Sequence, residues 1–504
     1  MKNLAGKHVL VLGLGHSGLA LACWCARCGA VVTVADTRAN PPQLEALKAA
    51  VPKAMFVHAD LSAALLDQAA FSMVLKSPGL SPASTAGVTA AANTSGVPCG
   101  NELTLFVQAL NDLKEEVSPF PGYSPQVIGI TGTNGKTTVT TLAGHLIERS
   151  GKSVAVAGNI GPTLLDTLSQ RLDSQTLPEV WVLELSSFQL DGVTSFEPAA
   201  ATVLNVTQDH LDWHETLADY SRAKANIYGR TGLMLLNRQD PLVMSAMPVV
   251  SKGKMVRTVL TFGTDEPRQP GDYGIETVNR MAWLVRASQA DETIKRKRGQ
   301  APDAVDLHIQ RLMPVDALRI HGLHNAANAL AALALAHAVG CALGPMLHGL
   351  REYRGEPHRV ESVAVVNGVE YFDDSKGTNV GATVAAITGL GPQRKLVLIL
   401  GGEGKGQDFS PLALPVSRYV RAVVLIGRDA PQIRLQLDQS GACLLAAASM
   451  QQAVELAAEH AQTGDAVLMS PACASFDMFE NYEHRARVFC ASVQALALNR
   501  GVIV

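Results

Sequence analysis

Lys136 is followed by Thr137 and Thr138 and preceded by Gly132 and Gly135, within GITGTNGKTTVTTLAG from Gly129 to Gly144. A lysine and a hydroxyl residue just after closely spaced glycines suit a phosphate site. Glycines let backbone N–H groups converge on phosphate oxygens, the ammonium neutralises them, and the Thr137 hydroxyl is a ligand for Mg²⁺. The common loop of this kind, G-x-x-x-x-G-K-[ST], would have a glycine where this chain has Ile130. The stretch is a variant, used by a switch, a kinase or an enzyme that spends ATP to join two molecules.

Two further residues belong with it. Glu184 ends the apolar run VWVLEL, and His210 follows the run ATVLNV, with Asp209, Asp212 and His214 as close rivals. Open parallel sheets gather ligands at the carboxyl ends of their strands, so both are placed to reach Mg²⁺ near the phosphates. A second glycine turn, Gly13, Gly15 and Gly18, lies between a strand and a helix, and Asp36 ends the next strand. That pattern suits a nucleotide diphosphate, either a dinucleotide or a UDP-sugar. Asn325 and Asn328 are three apart, hence on one helix face, where they either read an adenine or cap a buried helix. His358, Arg359, Asp374, Lys376, Thr378 and Lys405 fall at strand–loop junctions, and their cations suit a transferring phosphate or substrate carboxylates.

Strands and helices must hold these groups in place. KHVLVLG, SGLALACWCARCG and VVTVAD read as strand, helix and strand, a parallel α/β unit. QVIGI leads into the glycine-rich loop and a helix from Lys136, and SVAVAG, VWVLEL and ATVLNV follow as strands. RKLVLILGG, RAVVLIG and DAVLMSP make a third α/β unit. Leu113 to Gln126 and REYRGEPHRVE read as connectors, and from Thr264 to Pro314 periodicity blurs. A chain of 504 residues exceeds one core, so several domains are expected.

Composition removes other classes. The net charge is −3, which argues against nucleic acid as a partner, and the short basic run Lys295 to Arg298 reads as a solvated loop. The apolar run in NALAALALAHAVG is far short of the roughly 18 residues a membrane span needs. MKNLAGKHVLVLGLGHSG reads as a strand and glycine turn and not as a secretion signal, so a soluble cytoplasmic protein is expected. Cys25 and Cys28 form a lone C-x-x-C on a helix, which reads as packed thiols and not as a zinc site. A nicotinamide oxidoreductase would use the first glycine turn but leave the second phosphate loop idle. A non-catalytic ATPase would release phosphate without any second substrate.

GTNGKTT, ELSSFQL, NVTQDHLDWH, HNAANALAA, PHRVE, DDSKGTN and SPACASFDMF together resemble the Mur ligase family, in order and over nearly the whole chain. The resemblance implies three α/β domains: an N-terminal Rossmann-like one at 1–101 for the UDP-substrate, a central P-loop one at 102–356 for ATP, and a C-terminal Rossmann-like one at 357–504 for the amino acid. This places the first connector inside the central domain. It implies an ATP-dependent ligase of peptidoglycan precursor synthesis, expected as a monomer, that adds D-glutamate to UDP-N-acetylmuramoyl-L-alanine through an acyl phosphate. ATP would lie on Gly132, Thr133, Asn134, Gly135, Lys136, Thr137, Thr138, Asn325, Asn328, Arg359, Asp374 and Lys376. The UDP-substrate would meet Gly15, His16, Ser17, Asp36, Thr37, Arg38, Gly79, Asn159 and His210, and D-glutamate would meet Lys405, Ser475 and Tyr482. The implied catalytic set is Lys136, Glu184, His210 and Lys224, with two Mg²⁺ ions on Thr137, Glu184, His210 and a carbamylated Lys224. The segment from 264 to 314 is longer than the family pattern needs and reads as a surface insertion.

Overall fold

The computed structural model describes residues 4–115, 120, 122–249, 257–290 and 307–502. Three sheets follow one another along the chain, each with helices on its faces. The first has five parallel strands, β1 (His8–Leu12), β2 (Val31–Asp36), β3 (Met55–His58), β4 (Met73–Lys76) and β5 (Cys99–Gly100), in the order 3-2-1-4-5. The second has nine: β6 (Gln126–Thr131), β7 (Val154–Gly158), β8 (Val180–Glu184), β9 (Ala200–Val203), β10 (Leu233–Asn237), β11 (Val259–Phe262), β12 (Tyr273–Val278), β13 (Met281–Gln289) and β14 (Leu307–Pro314). Their order is 14-13-12-11-10-9-6-8-7. The third has six, β15 (Glu361–Val366), β16 (Val369–Asp373), β17 (Leu396–Gly401), β18 (Val420–Ile426), β19 (Cys443–Ala446) and β20 (Ala466–Met469), in the order 15-16-20-17-18-19.

The legible strands are those with helices over both faces. Val180 to Glu184 in β8 are all buried, which is why that run is apolar without alternation. The phosphate-loop helix, Lys136–Arg149, packs on Leu323–Ala338, whose alanines at 326, 329, 331, 332 and 334 are buried. Alanine is the best helix former, and its short side chain lets the two helices approach closely. Cys25 is buried and Cys28 half-buried, and both are free thiols on the first helix face, as expected for packing residues.

The segment from 264 to 314 corrects an expectation. Its described part is an antiparallel arm, β12 with β13 and β13 with β14, that widens the central sheet. Tyr273, Leu284, Val285, Ala287 and Met313 are buried there, so it is core and not a surface insertion. The basic run Lys295 to Arg298 lies outside the described residues. Of the connector expected from 113 to 126, the first three residues end the helix Glu102–Glu115 and Gln126 opens β6.

Glu102, at the junction of the first two units, is only 1% exposed. Its Oε1 accepts from the Leu165 backbone N–H at 3.0 Å, at the start of the helix Leu164–Asp173, while its Oε2 has no partner. Burial pushes its carboxyl up to about 7, against the pull of that N–H. The unfolded chain therefore releases this proton at lower pH than the fold does, so the group costs stability progressively as pH rises from about 4.5 to 7. Glu102→Gln keeps an acceptor for Leu165 and removes the ionisation. Its unfolding free energy relative to the parent is expected to improve by about 1–3 kcal/mol between pH 5 and pH 8. Urea titrations at the two pH values check this, and a pH-independent difference would show that Glu102 is not the titrating group.

Candidate active site

The phosphate loop connects β6 to its helix. Ile130 occupies the last part of β6 and is fully buried, so the position that holds glycine in the common loop is here a core position. Gly135 has φ +82° and precedes the helix; a Cβ there would lie 2.7 Å from Asn328 Oδ1. Only glycine takes that backbone angle without strain while letting the asparagine helix sit so close. Lys136 Nζ donates to the Gly132 and Thr133 carbonyls at 2.8 Å each, spanning its own loop. Burial lowers its pKa, and the nearby Glu184 opposes that shift.

A polar cleft of about 900 Å³ opens over this loop. Its central-unit wall carries Lys136, Thr137, Asn159, Glu184, Asp209 and His210, and its opposite wall carries Arg359, Lys376, Asn379, Lys405 and Tyr482. The walls touch: Arg359 Nη2 donates to Thr137 Oγ1 at 2.7 Å. Lys376 Nζ sits 3.7 Å over the Tyr482 ring, a cation–π contact. Glu184 is 1% exposed; Oε1 accepts from Asn159 Nδ2 at 2.8 Å and Oε2 has no hydrogen-bond partner. A buried carboxylate oxygen without a partner is costly unless a ligand takes it. With Thr137 lining the same cleft, that oxygen fits a hard cation such as Mg²⁺.

A second cavity of about 390 Å³ adjoins the first, sharing Asn134, Gly135, Arg359 and Lys376. Thr138, Asn325, Asn328 and Asp374 line it, with Phe262 and Leu204 as apolar walls. Asn325 Nδ2 donates to the His321 carbonyl at 2.8 Å, and its Oδ1 accepts from Asn328 Nδ2 at 3.1 Å. Burial pushes the Asp374 carboxyl up to about 7, although Ser470 Oγ donates to it at 2.6 Å.

Not every expected residue meets in the cleft. Lys224 lies beneath it, 1% exposed, with Nζ donating to the Gly132 carbonyl at 2.9 Å and 4.4 Å from the Tyr220 ring centroid. Burial, then the charge of Lys136, hold its pKa well below the usual lysine value. Ser475 is buried and does not line the cleft, its carbonyl taken by the Met478 and Phe479 N–H groups. Among the rivals of His210, Asp209 lines the cleft whereas His214 is turned to Ser187 Oγ at 2.8 Å. The side chain of Asp212 lies outside the described set.

Gly15, His16, Ser17, Asp36, Thr37, Arg38 and Gly79 gather at the carboxyl ends of β1, β2 and β4, on the first unit. Burial raises the Asp36 carboxyl, but the Arg38 guanidinium and the Leu14 and Arg38 N–H groups outweigh it and hold it down at about 2. It remains an anion at any working pH. Sequence reasoning missed Asn205, Gln208, Glu356, Asn379, Glu403 and Gln407. Of these, only Asn379 carried a local signal, as a capping residue before VGATVAAITGL.

Three α/β units, with a phosphate loop opening on a cleft that the last unit completes, define a multidomain enzyme of the nucleotide-using kind. Three family profiles match in the same order: the MurD-like N-terminal domain at 7–99, the Mur ligase middle domain at 130–336, and the Mur ligase glutamate ligase domain at 358–473. The chain belongs to the Mur ligase family. A UDP-N-acetylmuramoylalanine--D-glutamate ligase of Albidiferax ferrireducens is 63% identical over 505 residues, covering 99% of this chain and 98% of the relative. One from Burkholderia thailandensis is 55% identical over 501 residues, covering 98% of each chain. Among solved structures, the MurF ligase of Thermotoga maritima in complex with ADP superposes with a TM-score of 0.57 at 15% identity, over 99% of this chain and 100% of that one. A pseudomurein peptide ligase type C from Methanothermus fervidus gives 0.54 at 17% identity, over 97% and 100%. These two share the fold.

Proposed function

We propose that the chain joins the amino group of D-glutamate to the carboxylate of UDP-N-acetylmuramoyl-L-alanine, with ATP converted to ADP and phosphate, in peptidoglycan precursor synthesis. The observation that carries this is the two-sided cleft, with phosphate-type groups on one wall and Arg359, Lys376 and Lys405 on the other. The name borne by the two ligases above, which match nearly end to end, supports the substrate pair.

The N-terminal turn holds the uridine diphosphate, with its sugar arm reaching toward Asn159 and His210. The adenine side of ATP occupies the smaller cavity by Asn325 and Asn328, and its phosphates lie over the loop from Gly132 to Thr138. A substrate carboxylate oxygen attacks the γ-phosphorus and the bond to ADP breaks, giving an acyl phosphate. The D-glutamate amine then attacks the acyl carbon, the tetrahedral intermediate expels phosphate, and the amine proton leaves to solvent. Lys136, Arg359 and Lys376 neutralise the charge that moves, and Lys405 with Tyr482 and the Ser475 loop fixes the amino acid. Their contribution is positioning and electrostatics more than covalent chemistry. Thr137, Glu184, His210 and a carbamylated Lys224 would hold Mg²⁺, which supplies further charge neutralisation on the phosphates. Among the described residues no helix is long and apolar enough to cross a membrane.

The test is phosphate release from ATP with UDP-N-acetylmuramoyl-L-alanine against a panel of amino acids. D-Glutamate is expected to support turnover, with L-glutamate and L-alanine slower by about 100-fold or more, since holding both carboxylates through Lys405, Ser475 and Tyr482 leaves one direction for the amine. Equal rates with L-glutamate would defeat the assignment.

A further inference from the structure

We infer that Asn379 is a positioning residue that ties the amino-acid wall of the cleft to the phosphate loop, so that the D-glutamate site is set only against a correctly seated loop. The inference rests on the function proposed above. Asn379 caps the helix Val380–Leu390, its Oδ1 accepting from the Ala382 N–H at 2.9 Å. The same amide crosses the cleft. It accepts from Asn134 Nδ2 at 3.2 Å and donates to Asn134 Oδ1 at 3.1 Å and to Asp209 Oδ2 at 3.3 Å. Capping alone does not ask for an amide: Ser81, Thr163, Thr216 and Ser449 cap other helices of this chain with a hydroxyl. An amide offers a donor and an acceptor at once, which is what a reciprocal pair with Asn134 requires.

Both ends of the pair are anchored. Asn134 is pinned within its own unit, its N–H donating to Asn205 Oδ1 at 2.8 Å and its carbonyl accepting from Asn205 Nδ2 at 3.0 Å. On the other side the Val380 N–H donates to Gln407 Oε1 at 3.1 Å, in the loop that also presents Lys405 to the cleft. Hydrogen bonds therefore run from the phosphate loop through Asn379 and its neighbour to the Lys405 loop. The approach is tight. A Cβ on Gly381 would lie 2.5 Å from Thr207 Oγ1 and 3.2 Å from Asn134 Nδ2, so any larger residue pushes the helix start off the loop. Asn379 is 7% exposed, which keeps these bonds from competing water.

Asn379→Ser separates the two roles, because serine caps the helix but does not span to Asn134. The KM for D-glutamate is expected to rise about tenfold, the scale of one or two lost hydrogen bonds. The KM for ATP should stay within about twofold, and Tm within about 2 °C because the cap survives. Gly381→Ala attacks the same contact by a different route and should give the same selective rise. A D-glutamate KM unmoved in Asn379→Ser, or a rise shared equally by all three substrates, overturns the inference. Wild-type phosphate release is measured first. Its absence with D-glutamate would refute the proposed function, whereas its presence with unmoved KM values in the variants refutes the role of Asn379.

Discussion

Replacing Lys224 by alanine is expected to lower turnover by about three orders of magnitude, and acetate or formate is expected to restore part of it. The side chain is buried under the phosphate loop, with its amine against the Gly132 carbonyl and the Tyr220 ring. Burial and the neighbouring Lys136 push the ammonium well below its usual pKa, which favours the neutral amine. The neutral amine is the form that adds CO₂: its lone pair bonds to carbon, one N–H proton leaves to solvent, and a carbamate anion results. That group puts oxygen ligands on a long arm, which suits Mg²⁺ where an ammonium would repel it. Tyr220 is a neighbour of both Lys224 and His210, its ring 4.4 Å from Lys224 Nζ and 6.3 Å from the His210 ring. A small carboxylate diffusing into the alanine variant would replace the missing anion. If Lys224 instead acts as a cation on phosphate, methylamine should rescue and acetate should not. Rates of the variant in the two additives decide between the readings, and rescue by the amine alone rejects the carbamate.

Glu184→Gln should cost about 10²–10³ in kcat while leaving the fold intact. The substitution is nearly isosteric. Glutamine keeps an acceptor for Asn159 Nδ2, so the hydrogen bond at 2.8 Å and the packing of β8 survive. What disappears is the anionic character of Oε2, the buried oxygen with no protein partner. A metal ligand lost in this way also raises the Mg²⁺ concentration needed for half-maximal rate. The melting temperature, by contrast, should hold or rise, because a buried charge has been removed. Magnesium titrations of both proteins, with calorimetry alongside, test the pair of effects. A variant within tenfold of the parent and with an unchanged magnesium curve would show that Glu184 serves only to orient Asn159.

The phosphate loop, Glu184 and the first glycine turn were legible because buried parallel strands are continuous apolar runs, and the chemistry sits just past their ends. The arm β12 to β14 was not. Its strands pair antiparallel, and in Leu307 to Pro314 only Met313 is buried, the other side chains being half-buried or exposed with arginine and glutamine among them. Such a pattern is weak next to a run like Val180 to Glu184. The Asn134–Asn379 pair was hidden for a different reason: its partners are 245 residues apart, and no local pattern encodes a contact made only when two units meet. Buried ionisable groups were equally silent. Nothing in the local sequence marks Glu102 or Arg485 as buried, yet Arg485 is 1% exposed and donates to the Ser375 and Cys473 carbonyls, fastening two loops of the last unit.

The widened central sheet has a practical consequence. β14 is the far edge strand, and β9 to β13 all lie between it and β6, which carries the phosphate loop. At a strand spacing of about 4.8 Å, that edge stands roughly 30 Å from the chemistry. Closing a longer connection between β13 and β14 costs only about 0.6 kcal/mol per doubling of its length. A change in chain length between β13 and β14 is thus expected to leave turnover unchanged. A dye, an affinity peptide or a surface attachment introduced between these two strands is expected to spare the cleft, since the edge they form lies so far from it.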